Sequence, residues 1–154
     1  MALVAATLVL PIGASARQGQ HERHGYDIEI GLDFLITAPD SAAGPWELTL
    51  RRPYSQRVIR DSGQGGKVWD ANLDGTMTLY GEHGTLTIAF EAEITSWTGP
   101  ATATVGGTWT LVEGTGRYAG LHASGEINAT IAEGTLVAVY SGTAIQGRAT
   151  PPGR

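Results

Sequence analysis

The chain of 154 residues contains no cysteine. That excludes disulfides, thiolate nucleophiles and cysteine-held zinc or iron–sulfur centres together. Charge is sparse as well: 16% of residues are Asp, Glu, Lys or Arg, against about a quarter in an ordinary soluble domain. Lysine occurs once, the net charge is −5, and the only dense basic stretch is Arg51, Arg52, Arg57 and Arg60. A nucleic-acid partner needs a cationic stripe that displaces counterions from phosphates, so none is expected. No apolar run reaches the roughly 20 residues of a membrane-crossing helix, so no stable membrane span is expected either. Nowhere do apolar residues recur at helical spacing through three turns.

What is present points to β structure. Glycine is abundant, at 22 residues, and threonine is plentiful in the second half. Glycine is costly inside a helix, and the branched β-carbon of threonine suits a pleated surface. From residue 26 the dominant period is two. Tyr26, Ile28, Ile30, Leu32, Phe34 and Ile36 alternate with Asp27, Glu29, Gly31, Asp33, Leu35 and Thr37. Such alternation describes a strand with one apolar face. Pro39-Asp40-Ser41 and Gly44-Pro45 break it, and Trp46, Leu48 and Leu50 begin a second strand. Residues 53–66 read as polar and irregular, with Asp61-Ser62-Gly63 and Gly65-Gly66 as turn signals. Asp74-Gly75 reads as a tight hairpin turn.

After Gly81-Glu82-His83-Gly84, the clearest strand places Leu86, Ile88, Phe90, Ala92 and Ile94 on one face and Glu91 and Glu93 on the other. Further strands follow over residues 101–112, 123–131 and 135–145, the last two separated by Glu133-Gly134. Short strands joined by glycine turns predict an all-β fold, an antiparallel closed barrel of about eight strands. Closure also removes exposed edges from a chain with so few lysines to protect them.

Residues 2–12 stand apart as an apolar run, followed by Gly13-Ala14-Ser15-Ala16 in an Ala-x-Ala arrangement. This is the hydrophobic region and cleavage site of a secretory signal, although no Lys or Arg precedes the run. A core strand is the competing reading, opposed by Pro11 and the small residues around it. The expectation is a signal peptide over 1–16, a flexible mature N-terminus over 17–25 and a barrel domain over 26–150. Such a protein is secreted, or held in the periplasm or cell envelope.

Residues 107–125 carry a distinctive pattern: Gly107-Thr108-Trp109-Thr110, then Gly114-Thr115-Gly116, then Ala119-Gly120-Leu121. The segment resembles the strand–turn–strand signature of the allene oxide cyclase-like and dirigent-like barrels, especially their small bacterial members. The resemblance implies a barrel, a homodimer or homotrimer, and in some members a cofactor-free cyclisation or isomerisation by confinement. It carries no functional residue across position by position.

Sites with chemical potential are few. Gly114-Thr115-Gly116 precedes strand pattern rather than a helix that could cradle a phosphate, so it reads as a corner. Gly63-Gln64-Gly65-Gly66-Lys67 lacks the first glycine and the hydroxyl residue of a nucleotide loop. His21 and His24 lie in a polar tail and read as solvated rather than metal-binding. His83 sits in a turn and His122 at the glycine corner, and no catalytic set, cofactor or metal is assigned. The carboxylates Asp27, Glu29, Asp33, Glu91 and Glu93 read as a solvated outer face. The candidate ligand-contacting residues are Trp46, Trp69, Tyr80, Trp97, Trp109, Tyr118 and Tyr140, as core or barrel-end plugs of which some could line an apolar cavity.

Two functions fit. One is an exported barrel that binds a small lipophilic molecule or serves as a structural or interaction module. The other is a cofactor-free cyclase or isomerase that confines a lipophilic substrate in the lumen. The segment 135–140 is apolar on both faces, which predicts an oligomer interface or cover by the N-terminal tail.

Overall fold

A computed structural model describes residues 25–38, 41–53, 57–68 and 73–147. The proposed signal segment, the tail with His21 and His24, and Trp69 lie outside these residues. Eight strands close into one antiparallel barrel in sequence order, each paired with its neighbours and the last with the first. They are β1 (Gly25–Ala38), β2 (Ser41–Arg51), β3 (Val58–Val68), β4 (Asp74–Gly81), β5 (Gly84–Gly99), β6 (Thr102–Gly114), β7 (Leu121–Ala132) and β8 (Thr135–Gln146). One 3-10 turn, Gly116–Tyr118, joins β6 to β7.

The period-two reading sets the faces. Ile28, Ile30, Leu32 and Phe34 on β1 are buried, as are Leu86 and Ile88 on β5, while Asp27, Glu29, Glu91 and Glu93 are exposed. Phe90 and Ile94 share that inner face but are only partly buried. Ile36 departs from the pattern at 40% exposure, because the β1–β2 register shifts just beyond it at the rim. The hairpin between β7 and β8 turns on Glu133 (φ 48°) and Gly134 (φ 81°). Positive φ at both central residues is the turn whose twist matches the flanking strands.

Three local readings change. Residues 58–68 form a strand, not an irregular loop, and Gly63 within it is no turn signal. The inward positions of β3 are Ile59, Asp61 and Gly63, so the apolar alternation that marks a strand is missing there. Asp74-Gly75 makes no turn either; these residues pair with Glu91 and Phe90 along the ladder. The turn falls at the other end of β4, at Glu82-His83 between the paired Gly81 and Gly84. Gly44-Pro45 lies within β2, at a register shift against β3 where a proline is tolerated.

Two tryptophans brace the lumen in the same way. Trp46 on β2 faces Gly63 on β3, which in turn faces Gly81 on β4. Its indole N–H crosses β3 and donates to the Tyr80 carbonyl on β4 at 3.1 Å. Trp109 on β6 faces Gly125 on β7, which faces Gly142 on β8. Its N–H donates to the Ser141 carbonyl on β8 at 3.2 Å. The second brace repeats the first four strands later, so each half of the barrel holds one. The glycines are required by close approach: a Cβ on Gly63 would lie 2.7 Å from the Trp46 Cε2 atom, and one on Gly81 would lie 2.8 Å from Cζ2.

Candidate functional site

The lumen is the first place to look for a ligand, and it is filled. Trp46, Trp109, Phe34, Ile30, Leu48, Met77, Leu79, Leu86 and Ile88 are each buried almost completely. A methyl group on Gly66 would sit 2.9 Å from the Phe34 ring, so even that addition has no room. At interior packing density, side chains rather than guests occupy the space between strands.

The aromatic candidates divide accordingly. Trp46, Trp109, Tyr118 and Tyr140 are inside, all four in one core with the flanking Ile and Leu residues. Trp109 and Tyr140 meet edge to face, with ring centroids 6.1 Å apart and planes at 65°. Tyr80 and Trp97 are not core or end plugs: they point outward, at 51% and 67% exposure. Tyr80 falls between the inward Leu79 and the rim. Trp97 lies where β5 overhangs its β4 partner and its register against β6 shifts twice, so alternation no longer assigns an inner face. The structure therefore does not gather the aromatics into one cavity.

Burial pushes the Tyr140 hydroxyl well above its ordinary ionisation range. The fold holds the neutral phenol, so this residue's stabilising contribution is whole below the unfolded value of about 10 and falls as pH rises past it. In alkaline denaturation, Tyr140→Phe should lose less stability between about pH 10 and 11 than the wild type does. Parallel pH dependences for the two proteins would place the phenol in contact with water.

Concave regions lie outside. One of about 560 Å³ runs over β4 to β7, lined by Asp74, Glu91, Glu93, Thr108, Glu126 and Asn128. It contains Glu91 and Glu93, two of the carboxylates that alternation assigned to the outer face. No group of three or more side chains suited to a metal ion occurs among the described residues. A second, also of about 560 Å³, spans β1 to β3 and the β4–β5 turn, lined among others by Glu47, Arg60, Asp61 and His83.

That second region holds a pair that sequence proximity conceals. Asp61 Oδ1 lies 3.0 Å from His83 Nδ1, and it also accepts the Ser62 N–H at 2.8 Å. The Asp61 side chain is only 5% exposed, whereas that of His83 is 48% exposed. His83 thus has an acid against its ring, supplied by β3. The contact exists because β3 extends past the β4–β5 hairpin: β3 pairs with β4 only from Gly63 onward, and the hairpin tip folds against the unpaired part. A carboxylate on one imidazole nitrogen orients the other, the arrangement a general base uses. Among the described residues, no serine or threonine hydroxyl is bonded to either member of the pair. His122 stays apart, exposed on β7 opposite Ile145.

The fold and this geometry define a closed antiparallel β-barrel with a packed lumen and a polar rim. No family model, curated protein or solved structure matches the chain.

Proposed function

We propose that this chain is an exported, non-enzymatic β-barrel module that acts through its outer surface. The observation that carries the reading is the lumen, closed to guests by the two tryptophan braces and the apolar side chains between them. Confinement of a lipophilic substrate needs a cavity of roughly 300 Å³ or more, and the interior residues occupy that space. The packed lumen therefore favours the module over both the lipophile carrier and the cyclase. Export rests on the apolar run over 2–12 and the small residues after it.

The partner in this reading is a second copy of the chain. On the outside of β8, Val137 and Val139 are 52% and 39% exposed. Val139 stands between Gly31 on β1 and Asn128 on β7, and a Cβ on Gly31 would touch nothing within 4 Å. A valine ridge beside a trough of that kind is self-complementary, as a twofold interface requires. Changing Val137 and Val139 together to Lys should reduce the mass in light scattering to that of one chain. The melting temperature should stay within a few degrees, since neither side chain enters the core. A wild type that is already monomeric at high micromolar concentration would end this reading and leave the N-terminal tail as the cover.

A further inference from the structure

Closure of the barrel leaves a stretch of β5 without a neighbour on one side. The ladder between β4 and β5 ends at the pair Asp74 and Glu91, and β5 runs on to Gly99 with only β6 beside it. Along residues 92–98 the other side of the strand therefore meets no partner strand among the described residues. The link from Val68 to Leu73 does not close this gap. It reaches at most about 18 Å and is taken up in joining β3 to β4, whereas residues 92–98 extend over about 23 Å. An unpaired edge of this kind is a template for another strand.

The two faces beside the edge differ. On the inner side, Leu86 and Ile88 have Leu79 and Met77 of β4 next to them and are covered completely. Ala92 and Ile94, further along the same face, have no such neighbour and are only partly buried. On the outer side, Glu91 and Glu93 line the concave region that also holds Asp74 and Glu126. Trp97 stands beyond them at 67% exposure.

Charge is distributed unevenly around the barrel in the same sense. From Asp74 to Gln146 the chain has seven carboxylates and one arginine, Arg117, which lies in the 3-10 turn at the far end of β6. The other cations of the described residues, Arg51, Arg52, Arg57, Arg60 and Lys67, belong to β2, β3 and their connection. The open edge thus borders the acidic part of the surface.

We propose that residues 92–98 of β5 are a docking edge for an extended segment of a partner protein in which basic and apolar side chains alternate. A strand laid there continues the wall where β4 stops, and its backbone pairs with the free side of β5. Its side chains then point alternately outward, beside Glu93, and inward, beside Ala92 and Ile94. Arginine or lysine suits the first set, and valine, isoleucine or leucine the second. Trp97 offers an aromatic anchor on which a guanidinium also stacks. A second copy paired edge to edge would set two acidic faces side by side, so the partner is a different chain. The edge is three strands away from β8 and its use does not depend on the valine ridge there.

Titration of the full-length protein with the capped peptide Thr-Val-Arg-Val-Arg-Val-Thr, followed by amide correlation spectra and hydrogen exchange, tests this. Saturable shifts at residues 91–98 and 104–108 are expected, with slowed exchange of alternate amides within 92–98. Exchanging both peptide arginines for glutamate, or its fourth and fifth residues for proline, should weaken binding at least tenfold. Glu93→Lys and Trp97→Ala should each keep the wild-type melting temperature and weaken binding about tenfold. The proposal is overturned by shifts that fail to saturate, by equal binding of the glutamate or proline peptide, or by unchanged affinity in either variant. Slow exchange of every amide within 92–98 before peptide is added would overturn it too, because the chain's own residues would then already occupy the edge.

Discussion

Replacing Trp46 with Ala should destabilise the protein by about 3–5 kcal/mol, the range for removing a large buried aromatic side chain. The indole is 1% exposed and spans three strands, so its loss opens a cavity that Gly63 and Gly81 cannot fill. It also removes the hydrogen bond to the Tyr80 carbonyl. Trp46→Phe separates the two contributions: it keeps most of the ring and should cost less, with the bond itself contributing about 1 kcal/mol. Urea denaturation with an unchanged slope would report these differences directly. A loss below about 1 kcal/mol for Trp46→Ala, typical of an exposed position, would mean that the indole does not brace the lumen. Trp109→Ala, at the equivalent position four strands on, should match it.

The other large effect is expected from the smallest change, Gly125→Ala. The new methyl would press on the Ser141 carbonyl oxygen and approach the Gly142 Cα to 2.6 Å. Both are backbone atoms of the paired β8, so relief requires the strands to part rather than a side chain to turn. The cost should be about 3 kcal/mol, at the upper end of ordinary overpacking. Gly99→Ala, near the end of β5, is the control, because its methyl would meet only the Thr102 side chain, at 3.9 Å. That change should fall within about 0.5 kcal/mol of wild type. Equal melting temperatures for the two variants would mean that β7 and β8 are not as closely apposed as their pairing implies.

These two positions also show what could and could not be read from residues alone. β1 and β5 are legible because one face is apolar while the other is mostly polar, with Asp27, Glu29 and Asp33 on β1 and Glu91 and Glu93 on β5. β3 is not, because Gly63 in its inner row makes room for the Trp46 indole from β2, and Asp61 is polar. A strand whose inner face is filled by its neighbour's side chain carries no hydrophobic period of its own. The same reason hid the Asp61–His83 contact: the two are 22 positions apart, and only the offset between β3 and the β4–β5 hairpin brings them together. Tyr80 and Trp97 were misplaced for a different reason. Aromatic character suggests burial, but facing is set by strand parity for Tyr80 and by the shifts in β5 register for Trp97. Closure into about eight strands was legible because turn spacing and the scarcity of lysine both constrain it.

The paired braces have an optical consequence. Indole emission depends on the polarity around the ring, and Trp46 and Trp109 are held dry with their N–H groups bonded, one in each half of the barrel. Trp97, at 67% exposure, meets solvent and any dissolved quencher. With Trp69 and Trp97 changed to Phe, the remaining light would come from two shielded reporters at matched depths. Keeping only one of them at a time would let each half be watched separately. Their unfolding curves, overlaid, would tell whether the barrel opens as a single unit or comes apart along the seam between its halves.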